Sequence, residues 1–204
     1  MITGPKYKIA RKLGAPVFEK TQTQKYAQHL ERKSRVKKSF AKPKSEYAFQ
    51  HNEKQKARMV YGVSEKQFSN YVKKAIEKKA SKAVATIYES LELRLDNAVA
   101  RIGLATTRLA ARQMVSHGHI TVNGKKANIP SYRLSMGDVV GIKKGSLEKP
   151  LFASFEERFK ATTVPSWIGF DASAKTATIQ GMPKLEQGAG TLFDLGAVVE
   201  FYSR

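Results

Sequence analysis

From residue 65 to 79 the apolar positions Phe68, Tyr71, Val72, Ala75 and Ile76 recur at i, i+3, i+4, i+7 and i+8. That is the stripe of a helix with one buried face, and Lys66, Asn70, Lys73 and Glu77 share the opposite side. Ser64 can cap its first turn, and the aliphatic stem of Lys79 can cover the end of the stripe. A preceding helix is predicted from Glu46 toward Tyr61, capped by Ser45 and ended by Gly62. A following one over 81–91 carries Val84, Ile87, Tyr88 and Leu91 at compatible spacing. Such stripes must be buried against something, so an antiparallel helical cluster is expected.

The pattern changes over 93–142. Leu95, Val99 and Ile102, with Ala98 between, predict a helix that Gly103 stops. Thr106 or Thr107 can cap a second helix over 108–116, whose inner stripe is Ala111, Met114 and Val115. His117-Gly118 ends it. His119 to Val122 then faces Lys125-Lys126-Ala127 across Asn123-Gly124, a strong hairpin signal because both central residues of a type I′ turn need positive φ. Met136-Gly137-Asp138 reads as a turn before the strand Val139–Ile142. Beyond it, 151–160 can form a short helix with Phe152, Phe155 and Phe159 on one side, and 165–171 alternates against 176–180 like a hairpin. Trp167 is expected as a packing anchor. The glycines of 184–196 predict a flexible surface loop. The fold class is α+β: a basic N-terminal arm over 1–44, a helical domain over 45–92, and a small α/β module over 93–183, two helices packed on a short antiparallel sheet with a hairpin extension.

Charge turns this fold toward a partner. The chain of 204 residues has a formal net charge of +20 and a pI near 10.1, a balance suited to a polyanion. Residues 1–90 hold 22 lysines and arginines against 7 acids, and 91–204 hold 15 against 10, so the excess is concentrated in the first part. There is no cysteine, which removes disulfides and thiolate metal sites. No run approaches the roughly 18–20 apolar residues of a membrane span, and the N-terminus lacks the apolar core of a secretory signal, so a soluble protein without a membrane partner is expected. In the arm, 4–14 can form one short helix between Gly4-Pro5 and Gly14, while 31–38 is a dense charge cluster with too few apolar residues for a core of its own. Tyr7, Tyr26 and Phe40 lie among its cations, where aromatics can stack on bases while cations hold the backbone.

In the module, Arg101, Arg108, Arg112, Lys125, Lys126 and Arg133 can converge on one face, with Gln113, His117, His119, Asn123, Ser131 and Tyr132 among them. Arg108 and Arg112 are four apart and are expected to be exposed, one above the other. Together with Arg94 these form the module's candidate RNA-binding set, since folded RNA is read largely through shape, phosphate and 2′-hydroxyl. Catalysis finds little support. His117-Gly118-His119 lacks a placed third ligand, and no Gly-rich phosphate loop, nucleophile elbow or carboxylate pair is visible. No catalytic residue, metal or cofactor is assigned, and the protein is read as a binder.

The stretches RLDNAVARIG, TRLAARQMVSHGHITVNGKK and NIPSYRLSMGDVV resemble the RNA-binding module of the fourth small-subunit ribosomal protein of bacteria and organelles, the S-four family. Over 53–71, EKQKARMVYGVSEKQFSNY is similar to the same family, as are GPKYKIARKLG near the start and VVEFYSR at the end. Many bacterial members carry a four-cysteine zinc knot near the N-terminus; this chain resembles the zinc-free branch. The resemblance implies that Lys54, Lys56, Arg58 and Lys66 lie on rRNA-facing helices. It implies that 184–204 packs back on the helical domain, so that the module is an insertion. It further implies primary binding to small-subunit ribosomal RNA, with the helical domain and the module clamping a multi-helix junction in its 5′ domain and nucleating assembly. Contact with neighbouring small-subunit proteins, notably the fifth, would contribute to translational accuracy, and its own mRNA is a further implied partner. The implied location is a ribosome in the cytoplasm, or in an organelle. The alternative is a non-ribosomal RNA-binding factor, or a targeting protein for RNA modification that uses the same module. A modifying enzyme would need a catalytic domain that the roughly sixty residues after the module are too few to form.

Overall fold

Each cap hydroxyl predicted for the helical region starts a helix. The computed structural model describes residues 4–34, 45–153, 159, 163–171, 174–185 and 191–203. Ser45 accepts a hydrogen bond from Ala48 N at the start of α3 (Glu46–Tyr61), and Gly62 closes that helix at φ 62°. Ser64 does the same for α4 (Glu65–Lys78), accepting from Gln67 N. Phe68, Val72 and Ala75 are buried along its stripe. Lys79 departs from expectation: it leaves the helix in an extended conformation and is exposed. A 3-10 turn at Ala80–Lys82 intervenes before α5 (Ala83–Glu92).

The chain divides into two compact units, one of residues 1–87 with 186–204 and one of residues 88–185. In the first, the N-terminal segment has the short helix expected between Gly4-Pro5 and Gly14 and, among the described residues, a second one that its charge did not predict. It holds α1 (Lys6–Leu13) and α2 (Gln24–Ser34), joined through a 3-10 turn. Ala10, Leu13, Val17, Phe18 and Tyr26 form a small core against which Met59 and Val60 of α3 pack. The apolar residues, too sparse in any one helix, are pooled from two helices, their connection and α3. Asn52 on α3 donates to the Leu13 carbonyl at 3.0 Å. Tyr26, expected to stack on bases, is 4% exposed in this core, with its ring 5.0 Å from that of Tyr7. Phe40 and residues 35–38 of the charge cluster lie outside the described residues.

The C-terminal segment closes the same unit. The helix α9 (Leu195–Tyr202), with Asp194 as its cap, packs against α3. Part of the stretch expected as a free loop is therefore packed. Phe193 is 8% exposed with its ring edge on Tyr61, and Asp194 N donates to Glu53 Oε2 at 3.0 Å. Phe193 and Leu195 bury enough apolar surface to hold the chain down despite the glycines around them.

The second unit is built on α6 (Leu95–Arg101), α7 (Arg108–Ser116) and a five-stranded antiparallel sheet. Thr107 caps α7 by accepting from Ala110 N. The strands are β1 (Ile120–Val122), β2 (Lys125–Ala127), β3 (Val139–Ile142), β4 (Ile168–Asp171) and β5 (Thr176–Ile179). Their order is β2-β1-β3-β5-β4, so the late hairpin extends the module's own sheet through β3 and β5. Asn123 (φ 51°) and Gly124 (φ 76°) form the β1–β2 turn, both in the left-handed region. Leu95, Val99, Ile102, Val115, Ile120, Val140 and Ile179 share one core, and Trp167, at 9% exposure, belongs to it. Phe152 on the short helix α8 (Pro150–Ala153) and Phe159 pack there too; Phe155 lies outside the described residues.

Candidate nucleic-acid interface

A cluster of arginines on the second unit is held by two acids that the core has swallowed. Glu92, at the end of α5, is 0% exposed. Its carboxylate takes a two-point contact from Arg101, Nη2 to Oε1 at 2.7 Å and Nε to Oε2 at 3.0 Å. Asn97 donates to the same residue, at 2.8 Å to Oε2 and 3.0 Å to the backbone carbonyl. The Asn97 carbonyl oxygen in turn accepts from Arg108 Nε at 2.7 Å. Asp96, also buried, takes Arg94 through Nε and Nη2 at 3.0 and 2.8 Å. Its Oδ2 additionally accepts Arg112 Nε and Nη2 at 2.8 and 2.7 Å. Four guanidiniums thus meet two carboxylates and one amide, and the cluster keeps a positive balance. Ion pairs this far from water hold their geometry, because a carboxylate stripped of solvent accepts fewer alternatives.

This arrangement corrects two expectations. Arg94 is 2% exposed, so its role is that of a buried counter-ion to Asp96 and not of a surface contact. Arg108 and Arg112 are half-buried, and the Arg112 side chain is 24% exposed. Spacing alone placed them on a free helix face; Asn97 and Asp96 at the start of α6 draw them inward. Arg101, at 37% side-chain exposure, is the most open of the three paired cations for which a side-chain value decides the matter.

The remaining module residues fall into smaller groups. Gln113 and His117 are exposed on and after α7, and Lys125 and Lys126 on β2. Lys126 folds its stem over Gly118, where a Cβ would overlap it. Asn123 is exposed but committed: it donates to Asp138 Oδ1 and accepts from Val139 N, both at 2.8 Å. His119 is half-buried, its Nδ1 3.0 Å from Ser146 Oγ and its ring edge-on to Phe152. Burial lowers its pKa below the ordinary histidine value, with Lys149, His117 and Lys143 adding to the effect, so it faces the module's interior as a neutral ring at pH 7. Ser131 is half-buried, while Tyr132 and Arg133 are exposed; Arg133 forms a backbone bridge with Arg94.

On the first unit only Lys66 of the four expected cations is openly exposed. Lys54 is 7% exposed, 2.9 Å from Glu65 and 4.5 Å from the centre of the Phe201 ring. Lys56 pairs with Glu53 at 2.6 Å. Arg58 reaches Glu65, Gln55 and the Val63 carbonyl. Lys54 and Arg58 thus help hold α4 and α9 on α3. Glu65 also accepts the Tyr202 hydroxyl at 3.0 Å. Burial alone would raise the Glu65 pKa, but the hydrogen bond and charge of Lys54, with Tyr202 and Arg58, outweigh it and hold the carboxyl below its usual value. Burial, then Glu65, pushes the Tyr202 phenol above its ordinary value.

Sequence reasoning overlooked Glu92, Asp96 and Asn97. A signal was present: Glu92 stands between Leu91 and Leu93, and Asp96-Asn97 sits between Leu95 and Ala98, polar residues inside an apolar run. The comparisons with known proteins match both units. Residues 1–92 match a family model described as the Ribosomal protein S4/S9 N-terminal domain, and residues 93–140 match the S4 domain. The small ribosomal subunit protein uS4 of Akkermansia muciniphila is 40% identical over 99% of this chain and 98% of its own length. That of Listeria monocytogenes is 39% identical over 99% and 98%. That of Syntrophomonas wolfei is 43% identical over 78% and 76%. With both family models in sequence order and relatives aligned end to end, the chain belongs to the uS4 family of ribosomal proteins.

Proposed function

We propose that the protein is a structural, non-enzymatic component of the small ribosomal subunit that binds its ribosomal RNA. The observation that carries this reading is the arginine cluster of Arg101, Arg108 and Arg112, fixed by Glu92, Asn97 and Asp96. Four guanidiniums against two carboxylates leave this cluster a net positive charge at a fixed place on the module, which draws phosphate to it. Exposed Lys125, Lys126, Arg133 and His117 extend the same chemistry on the module, and Lys66 offers it on the helical unit. Two RNA-binding units on one chain can hold more than one helix of a junction, offsetting the repulsion between their phosphates.

The finer reading is that the junction lies in the 5′ domain of small-subunit rRNA and that binding there nucleates assembly. The protein would then sit on the ribosome, beside neighbouring small-subunit proteins that include the fifth, and contribute to translational accuracy. Hydroxyl-radical footprinting of the protein on full-length small-subunit rRNA tests this. The expected result is one contiguous set of protected helices confined to the 5′ domain. Protection scattered over the whole RNA, or absent, would contradict it.

A further inference from the structure

We propose that the hollow between the β1–β2 hairpin and residues 128–132 receives one unpaired nucleobase of the bound RNA. The proposal rests on the RNA-binding reading above and names what one part of that surface holds. The hollow measures about 410 Å³, within the usual range of roughly 300–1,000 Å³ for small-ligand sites. Val122 and Ala127 line it from the face of the hairpin that packs on the core. Ile129 and Tyr132 line it from the loop, and they are 58% and 41% exposed. Lys125, Lys126, Asn123 and Asn128 complete the lining with two cations and two amides, all exposed.

The exposed pair is presented by a fixed backbone. The Tyr132 carbonyl accepts from Leu95 N at 2.9 Å, and the Pro130 carbonyl from Asp96 N at 3.1 Å. Tyr132 N donates to the Ile129 carbonyl at 3.0 Å, and Leu134 N to the Leu93 carbonyl at 2.9 Å. The loop is thereby tied to the start of α6, the same turn whose Asp96 and Asn97 hold the arginines. A large aliphatic and an aromatic side chain on a pinned loop are held out in water without serving the core. A planar, weakly solvated occupant would use them.

The surrounding chemistry selects a base. Tyr132 offers an aromatic face for stacking, and the Asn128 amide carries both a donor and acceptor for a base edge. Lys125 supplies a partner for the phosphate that comes with the base. A paired base has both faces stacked in its helix, so only a bulged or loop nucleotide can enter.

The test measures binding of the full chain to the 5′-domain fragment of small-subunit rRNA and to an unrelated structured RNA, at several salt concentrations. Tyr132→Ala is expected to lower affinity for the 5′-domain fragment by about 5- to 150-fold, the range of one lost base stack. Its salt slope should stay unchanged because no phosphate contact is removed. Tyr132→Trp should retain binding. With Tyr132 replaced by a photocrosslinking phenylalanine analogue, the adduct should map to a single unpaired nucleotide. Wild-type affinity in Tyr132→Ala, equal losses on both RNAs, or an adduct to paired helices or to a neighbouring protein in assembled subunits would overturn the proposal. A folded wild type that binds both RNAs alike contradicts the ribosomal reading instead, and an adduct to an unpaired base would still support the pocket.

Discussion

Asp96 decides more than its size suggests. It is 2% exposed and is the shared partner of a fully buried arginine, Arg94, and a half-buried one, Arg112. Removing one member of a buried ion pair leaves an uncompensated charge, which costs about 3–5 kcal/mol. Asp96→Ala should therefore destabilise the module by about that amount in a urea titration followed through Trp167 fluorescence. A loss under about 1 kcal/mol would mean that Arg94 finds water instead. The same geometry changes how arginine substitutions should be read. Reversing the charge of Arg112 sets a carboxylate beside Asp96, so a loss of RNA binding would mix with a loss of fold. The sequence showed these arginines but not their posture. Spacing of three and four places side chains on a helix face, yet it cannot tell a face turned to water from one turned to a buried acid on another helix. That information lies in long-range pairs such as Arg112 with Asp96, which no local window contains.

At the scale of elements, local rules were strong wherever a cap or a turn fixed the backbone. Ser45, Ser64 and Thr107 cap the helices that their positions announce, and Asn123-Gly124 makes the hairpin. They were weak where several poor segments pool a core. The α1–α2 region has few apolar residues per helix, and Tyr26 is buried only because Ala10, Leu13, Val17 and Phe18 meet around it. The docking of α9 on α3 is likewise a tertiary fact, sealed by Lys54, Glu65, Tyr202 and Phe201. That seal titrates. His51 on α3 belongs to it, with its ring 5.9 Å from that of Phe201 on α9. Burial lowers the His51 pKa, and Lys54, Lys12 and Arg58 add to this while Glu65 opposes it. A depressed pKa means that the folded state prefers the neutral ring, so its contribution is present above about pH 6.5 and is lost as pH falls through the lower folded value. The Glu65 carboxyl is depressed too, so its contribution is complete above about pH 4.3 and fades further into acid. The protection factors of the α9 amides, taken against intrinsic exchange at each pH, should therefore fall in two stages on acidification, the first below about pH 6.5. A fall that tracks only global unfolding would show that the cluster does not control α9. Both stages should be removed by His51→Phe combined with Glu65→Gln.

For the whole molecule, charge and core carry different messages. The net charge of +20 points to a polyanion partner, and the match over both units shows the family. What neither could give is the division of labour among the cations. Several expected contacts are spent inside the protein: Arg94 on Asp96, Lys54 on Glu65 and Lys56 on Glu53. Under the proposed function, the contact with RNA would fall to the arginine cluster and to cations that stay exposed, such as Lys66, Lys125, Lys126 and Arg133. Such a surface should add shape selection to the general attraction of a polycation. The most direct test is a filter-binding titration of the intact protein against the junction-containing 5′ domain of small-subunit rRNA, with an unrelated structured RNA of equal length, at two salt concentrations. The account predicts tight binding that prefers the junction and keeps that preference at the higher salt; about ten phosphate contacts would give a slope of log affinity on log salt near −7 to −9. Equal affinity for the two RNAs, collapsing together as salt rises, would contradict it.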